Sequence, residues 1–178
     1  MYIVLTGTHG VGKSTLAEHL VSVLGPGRNV RLIPETAREL VRRGMKVNDE
    51  MTEDGFIAYI QIYLQAVRES QTDIVIADRA LFDLYLYTHN STDRIRPLYI
   101  EILRELVFIE AKAVDFYVYL PIEFPMQMDA VRPADEAYQL QIDRDAVNLL
   151  GYFGMRTVLA GGSLSERAAT VIKHLQNG

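Results

Sequence analysis

The run Gly7-Thr8-His9-Gly10-Val11-Gly12-Lys13-Ser14, followed by Thr15, carries the densest chemistry in the chain. It fits G-x-x-x-x-G-K-[ST], a loop that wraps phosphate. Phosphate needs backbone N–H groups pointing inward at a helix N-terminus, and glycine lets the backbone curl that closely. Thr8, His9, Gly10, Val11, Gly12, Lys13, Ser14 and Thr15 are therefore the expected nucleotide contacts. Lys13 would reach the β- and γ-phosphates, and the Ser14 hydroxyl would bind Mg²⁺. ATP and Mg²⁺ are the expected cofactors.

A second group lies at Ile74 to Asp78, where apolar residues end in an acid and Arg79 follows. Asp78 in such a place holds Mg²⁺ or binds an acceptor hydroxyl. Arg79 beside it would sit near the transferring phosphoryl group or the acceptor. Glu35 follows another short apolar run, and Arg38 stands one helical turn beyond it. These two residues point in different directions. A hydroxyl acceptor must lose a proton, so Glu35 favours a hydroxyl. A phosphate acceptor needs cations, so Arg38, with Arg42 and Arg43, favours an anion. Both acceptors stay open on the residues alone.

The elements that must position these groups alternate. Tyr2–Thr6, Val30–Ile33, Ile74–Asp78, Phe116–Leu120 and Met155–Leu159 read as short buried strands. Helical spacing follows from Lys13 to Leu24, Thr36 to Arg43, Phe56 to Ser70 and Ala137 to Leu150. Leu98, Ile102, Leu106 and Ile109 mark a further long helix, and Ser163 with Glu166 forms a capping box for the last. Such alternation predicts an α/β fold with a parallel sheet covered on both faces. Ligands then bind beyond the carboxyl ends of the strands, where the residues above fall.

Gly7 to Thr15, Asp78-Arg79 and Ile33-Pro34-Glu35-Thr36-Ala37-Arg38-Glu39-Leu40 together resemble the P-loop kinases of the nucleoside and nucleoside-monophosphate kinase superfamily. The likeness extends to the nicotinamide-riboside-kinase-like ATP-binding domain family and spans nearly the whole chain. The resemblance implies a P-loop NTPase fold with a five-stranded parallel sheet of order 2-3-1-4-5 and a mobile lid. It implies an ATP-dependent kinase acting on a nucleoside or nucleotide, with Glu35 as the general-base carboxylate. In that family the helix Phe56 to Ser70 builds the acceptor pocket, so Tyr59 is a substrate contact by analogy. Asp129-Ala130-Val131-Arg132 resembles the family's lid, although Ala130 stands where a glycine is usual. Arg132 would then close over ATP and neutralise the transferring group. Lys13, Glu35, Arg79 and Arg132 are the expected catalytic residues. Glu35, Arg38, Tyr59, Asp78 and Arg79 are the expected substrate contacts, and Ser14 and Asp78 the metal ligands.

Composition bounds this reading. The chain has 178 residues, 49% of them hydrophobic and 23% charged, which suits one domain over 1–178 with a lid near 123–136. A net charge of −5 weighs against nucleic acid as the main partner. There is no cysteine, so disulfides and thiol chemistry are excluded. No apolar run reaches membrane-spanning length and no charged leader precedes the first strand, so the expectation is a cytoplasmic protein without membrane contact. A homodimer is compatible with the sequence. Arg38, Arg79, Arg132 and Arg144 fall where phosphate is expected, which predicts a basic pocket inside an acidic chain. Two other readings survive: a nucleotide-dependent regulatory NTPase with a protein partner, and a polynucleotide end kinase.

Overall fold

The computed structural model describes residues 1–89, 94–123 and 136–177. Five parallel strands form one sheet in the order β2-β3-β1-β4-β5. They are β1 (Tyr2–Thr6), β2 (Val30–Ile33), β3 (Ile74–Asp78), β4 (Phe116–Tyr119) and β5 (Thr157–Leu159). This is the expected P-loop order. The helices are α1 (Lys13–Leu24), α2 (Thr36–Arg42), α3 (Glu53–Arg68), α4 (Leu81–Thr88), α5 (Pro97–Ala113), α6 (Glu136–Tyr152) and α7 (Leu164–Asn177). A short 3-10 turn, Asn48–Glu50, precedes α3.

The strands alternate their side chains between two cores. Ile3, Leu5, Ile76 and Val118 face α1 and α7, where Leu16, Leu20, Ala168 and Val171 meet them. Val4, Val75, Ala77 and Tyr117 face the other way, against Phe56, Tyr63, Phe82, Leu103 and Ala146 from α3 to α6. Leu5 pairs with Asp78 and Thr6 with Tyr119, so the ends of three central strands share one edge. Gly7 leaves β1 there at φ +128°. A Cβ on it would lie 2.5 Å from the Leu120 carbonyl oxygen, so no other residue fits this turn.

Several sequence expectations shift. α3 begins at Glu53, earlier than Phe56, because Thr52 accepts the Gly55 N–H and caps the helix. α4 is an element the periodicity did not predict. It is buried on nearly every side, so its sequence shows no polar face. The stripe Leu98, Ile102, Leu106 and Ile109 does lie on a helix, but only Leu106 packs against the core, and Leu98 and Ile109 are each 65% exposed. The buried face of α5 is Ile100, Leu103, Val107 and Glu110. Among the described residues no helix is long and apolar enough to cross a membrane.

Candidate functional site

The site assembles where β1 and β3 end. Strand β1 delivers the loop Gly7 to Gly12 into the N-terminus of α1, with Gly12 at φ +89° immediately before Lys13. The Lys13 ammonium is buried and donates to the carbonyls of Gly7, at 3.0 Å, and Thr8. Burial, with the Arg79 guanidinium second, pulls its pKa down to about 7. Val11 is buried and Thr8 fully so, whereas Gly10 and Thr15 face solvent.

Ser14 Oγ donates to Asp78 Oδ2 at 2.6 Å. The other oxygen, Asp78 Oδ1, is buried and has no hydrogen-bond partner among the described residues. A buried carboxylate oxygen left without a donor is costly unless a cation meets it. Hard oxygen donors at a phosphate loop suit Mg²⁺, which usually keeps one or two protein ligands and takes the rest from water and phosphate. Among the described residues no group of three or more His, Cys, Asp or Glu could hold a metal alone.

Arg79 is the hub. It is a non-glycine residue in the left-handed region, at φ +75°, and its side chain is 6% exposed. Such backbone strain persists only where the surroundings over-determine it. Its Nε donates to Glu35 Oε1 at 3.0 Å, and its Nη1 to Asp83 Oδ1 at 3.0 Å. The guanidinium also lies 5.0 Å from the Tyr87 ring centroid. Asp83, on α4, further accepts from Thr6 Oγ1 and from the Ala80 N–H. Burial pushes the Asp83 carboxyl up, against the pull of Arg79 and Lys13. Glu35 Oε2 accepts from Arg38 Nε at 3.1 Å, while Arg38 Nη2 reaches Ser14 Oγ at 3.3 Å. Arg38 of α2 and Asp78 of β3 thus meet at Ser14, with Glu35 at the start of α2 held by Arg38.

A cavity of about 600 Å³ opens beside this cluster. Glu35, Arg79, Asp83, Tyr59, Tyr87 and His9 are among its walls. Of the aromatics on α3, Tyr59 lines it and donates to the Ala80 carbonyl at 3.4 Å. Phe56 and Tyr63 are core instead, and Gln61 and Gln65 face solvent. His9 belongs to the phosphate loop yet also lines the cavity, stacked on Tyr138 at 6.2 Å between centroids. The expected basic pocket is not what the described lining residues form. Lys46 pairs with Glu50, and Arg79 with Glu35 and Asp83, so each of these cations already faces carboxylate. Arg144 is exposed on α6 and donates to Gln141. Arg132, with most of the lid, lies outside the described residues.

Two further residues brace the phosphate loop from distant helices. Gln139 on α6 donates to the His9 carbonyl at 2.8 Å. Arg167 on α7 donates to the Val11 carbonyl at 2.6 Å and to Glu123 at 2.5 Å. Glu123 in turn accepts the Gly162 N–H. Arg167 therefore joins the loops after β1, β4 and β5. Sequence reading missed Asp83, Tyr87, Gln139 and Arg167. Asp83 had a signal, an acid inside the apolar run Leu81 to Leu86, since such a group is buried only when paired.

A family model described as AAA domain matches residues 2–167. Among curated proteins none matches the chain. Several solved structures share the fold. NadR protein, in complex with NR and in another structure with NAD and AMP-PNP, is 20% identical with TM-scores of 0.72 and 0.71. The match covers 98% of this chain and 50% and 48% of those chains, so this chain spans about half their length. YorR protein from Bacillus subtilis, in complex with phosphorylated GDP, is 18% identical with a TM-score of 0.64, covering 99% of this chain and 96% of that one. Thymidylate kinase from Candida albicans is 14% identical with a TM-score of 0.67, covering 99% and 91%.

Proposed function

The chain belongs to the AAA domain family, and from that premise we propose that it is a Mg²⁺- and ATP-dependent kinase that phosphorylates a hydroxyl of a nucleoside. One observation carries the reading. The buried Glu35 carboxylate lines the cavity beside the phosphate loop, and every described cation of that cavity is already ion-paired. A phosphate acceptor would need a cation there to spare. A hydroxyl needs a carboxylate to take its proton, and a nucleoside suits walls of Tyr59, Tyr87 and Tyr138. The NR named for NadR suits a nucleoside acceptor, whereas the phosphorylated GDP named for YorR and the name of the thymidylate kinase suit a nucleotide and carry the second reading, a phosphate acceptor.

In this mechanism the acceptor oxygen attacks the γ-phosphorus while the bond to the β–γ bridging oxygen breaks. Glu35 accepts the hydroxyl proton, and ADP leaves with the bond pair. Lys13 neutralises the charge gathering on the phosphoryl oxygens. Ser14 and Asp78 would hold Mg²⁺, which draws charge from the phosphates when bound. Arg79 keeps Glu35 turned toward the acceptor, and Arg132 would supply a cation from the lid.

The test is label transfer from ATP to a panel of nucleosides and nucleoside monophosphates. We expect transfer to nucleosides, lost in Lys13→Ala while the circular dichroism spectrum stays unchanged. Glu35→Gln should lower kcat on a nucleoside by about 10²- to 10⁴-fold, the usual worth of a general base. Transfer to monophosphates alone, or an unimpaired Glu35→Gln, refutes the hydroxyl reading. Slow hydrolysis without any acceptor would favour a regulatory NTPase.

A further inference from the structure

Glu110 stands near the end of α5, against the first turn of α4 and outside the described walls of the cavity. It is 7% exposed, and neither the motifs nor the mechanism uses it. Its two oxygens accept the Leu81 N–H at 3.2 Å and the Phe82 N–H at 3.1 Å. These are first-turn donors of α4, which have no partner inside their own helix. A carboxylate there meets both donors and the positive end of the helix dipole. Tyr117 OH of β4 adds a third bond at 3.3 Å, and Tyr63 of α3 bonds the same carboxylate.

What α4 carries gives this anchor its importance. Asp83 and Tyr87 project from it onto Arg79, and Arg79 holds Glu35. Arg79 also sits in a left-handed conformation immediately before the helix. Its position is thus set from one side by Glu35 and from the other by wherever α4 begins. From these contacts we propose that Glu110 is a positioning residue for the acceptor site: its carboxylate fixes the start of α4, and through Asp83 and Tyr87 it fixes Arg79 and Glu35. This role rests on the kinase reading only in what the site does, not in how it is held.

Among the described residues the titratable groups facing Glu110 are Tyr59 and Tyr63 of α3, Tyr117 of β4, Tyr2 of β1 and Asp83 of α4, none of them a cation. Burial, the largest influence, lifts the carboxyl to about 7, against the pull of Tyr63 and of the two N–H groups. Opening the start of α4 to water returns the carboxyl toward its ordinary value near 4.5, so ionisation favours the open start: Glu110 holds it most firmly below that value and less so as pH rises through about 7.

Glu110→Gln replaces one acceptor oxygen with an NH₂ group that opposes a backbone N–H. We expect amide hydrogen exchange at Leu81 and Phe82 to quicken by about tenfold or more, the usual effect of removing a partner from a buried donor. Amides of β1 should be unchanged. In the wild type the same two amides, corrected for intrinsic rate, should lose protection as pH rises from 6 to 8. The Michaelis constant for the nucleoside should rise in Glu110→Gln, with that for ATP unaltered. Exchange that quickens equally in β1, or rises of both Michaelis constants together, would reduce Glu110 to a core residue and overturn the proposal. The wild-type pH series decides the anchor even if the variant fails to fold. A wild-type chain that transfers no phosphoryl group refutes the kinase reading, and the exchange pattern still decides the anchor.

Discussion

Lys13 shows how one residue's charge depends on what binds. Its ammonium is buried beside Arg79 and bonded only to neutral carbonyls, so its pKa lies at about 7. At pH 7.5 much of the population therefore lacks the proton. Nucleotide phosphates would add to the opposite charge of Asp78, Asp83 and Glu35, which burial and Arg79 outweigh, and lift the ammonium toward its ordinary value near 10.5. Binding an ATP analogue should accordingly take up protons near pH 7.5. Calorimetry in two buffers of different ionisation enthalpy reads that uptake directly. Lys13→Met should abolish the uptake, and a proton release in the wild type would overturn this account. The motif itself was legible because the glycines and Lys13 are adjacent in sequence. The Arg79 hub was only half legible. Its position beside Asp78 is local, but its partners Glu35 and Asp83 are brought to it by separate elements.

At the level of elements, legibility followed amphipathicity. The order of the five strands followed only from the family resemblance, but the strands themselves could be read because each is a short apolar run between turns. Helix α4 could not, because Leu81, Phe82, Asp83, Leu84 and Leu86 are all buried and leave no periodic contrast. Helix α5 showed the opposite fault. Its two faces are both apolar, and the stripe that stood out is the more exposed one. Arg167 on α7 went unread for a third reason: its partners Val11 and Glu123 are 156 and 44 residues away. Its geometry nevertheless makes a definite prediction. Arg167→Ala removes the donor from the Val11 carbonyl and leaves Glu123 without its guanidinium. The loss of such a charged bond costs about 2 kcal/mol. Nucleotide affinity should fall by about tenfold or more, while the Michaelis constant for the acceptor holds. Fluorescent-nucleotide titration measures the first, and an unchanged affinity removes α7 from the nucleotide site.

For the whole molecule, the consequence of this architecture is a linkage between stability and pH. Outside the fold Glu110 gives up its proton near 4.5, and inside it near 7. Between those values the folded state binds more protons than the unfolded chain, so this residue stabilises the fold below 4.5 and loses that contribution as pH rises through 7. The difference amounts to on the order of 3 kcal/mol, a sizeable part of the stability of a typical domain. The ionised carboxylate that anchors α4 is thus kept at the expense of global stability, as a functional site can require. Urea midpoints of wild type and Glu110→Gln at pH 5 and pH 8 separate this residue from all other titrating groups. The wild type should lose more stability than the variant on going to pH 8. Parallel losses would mean that Glu110 ionises freely, and the carboxylate would then be no more costly buried than exposed.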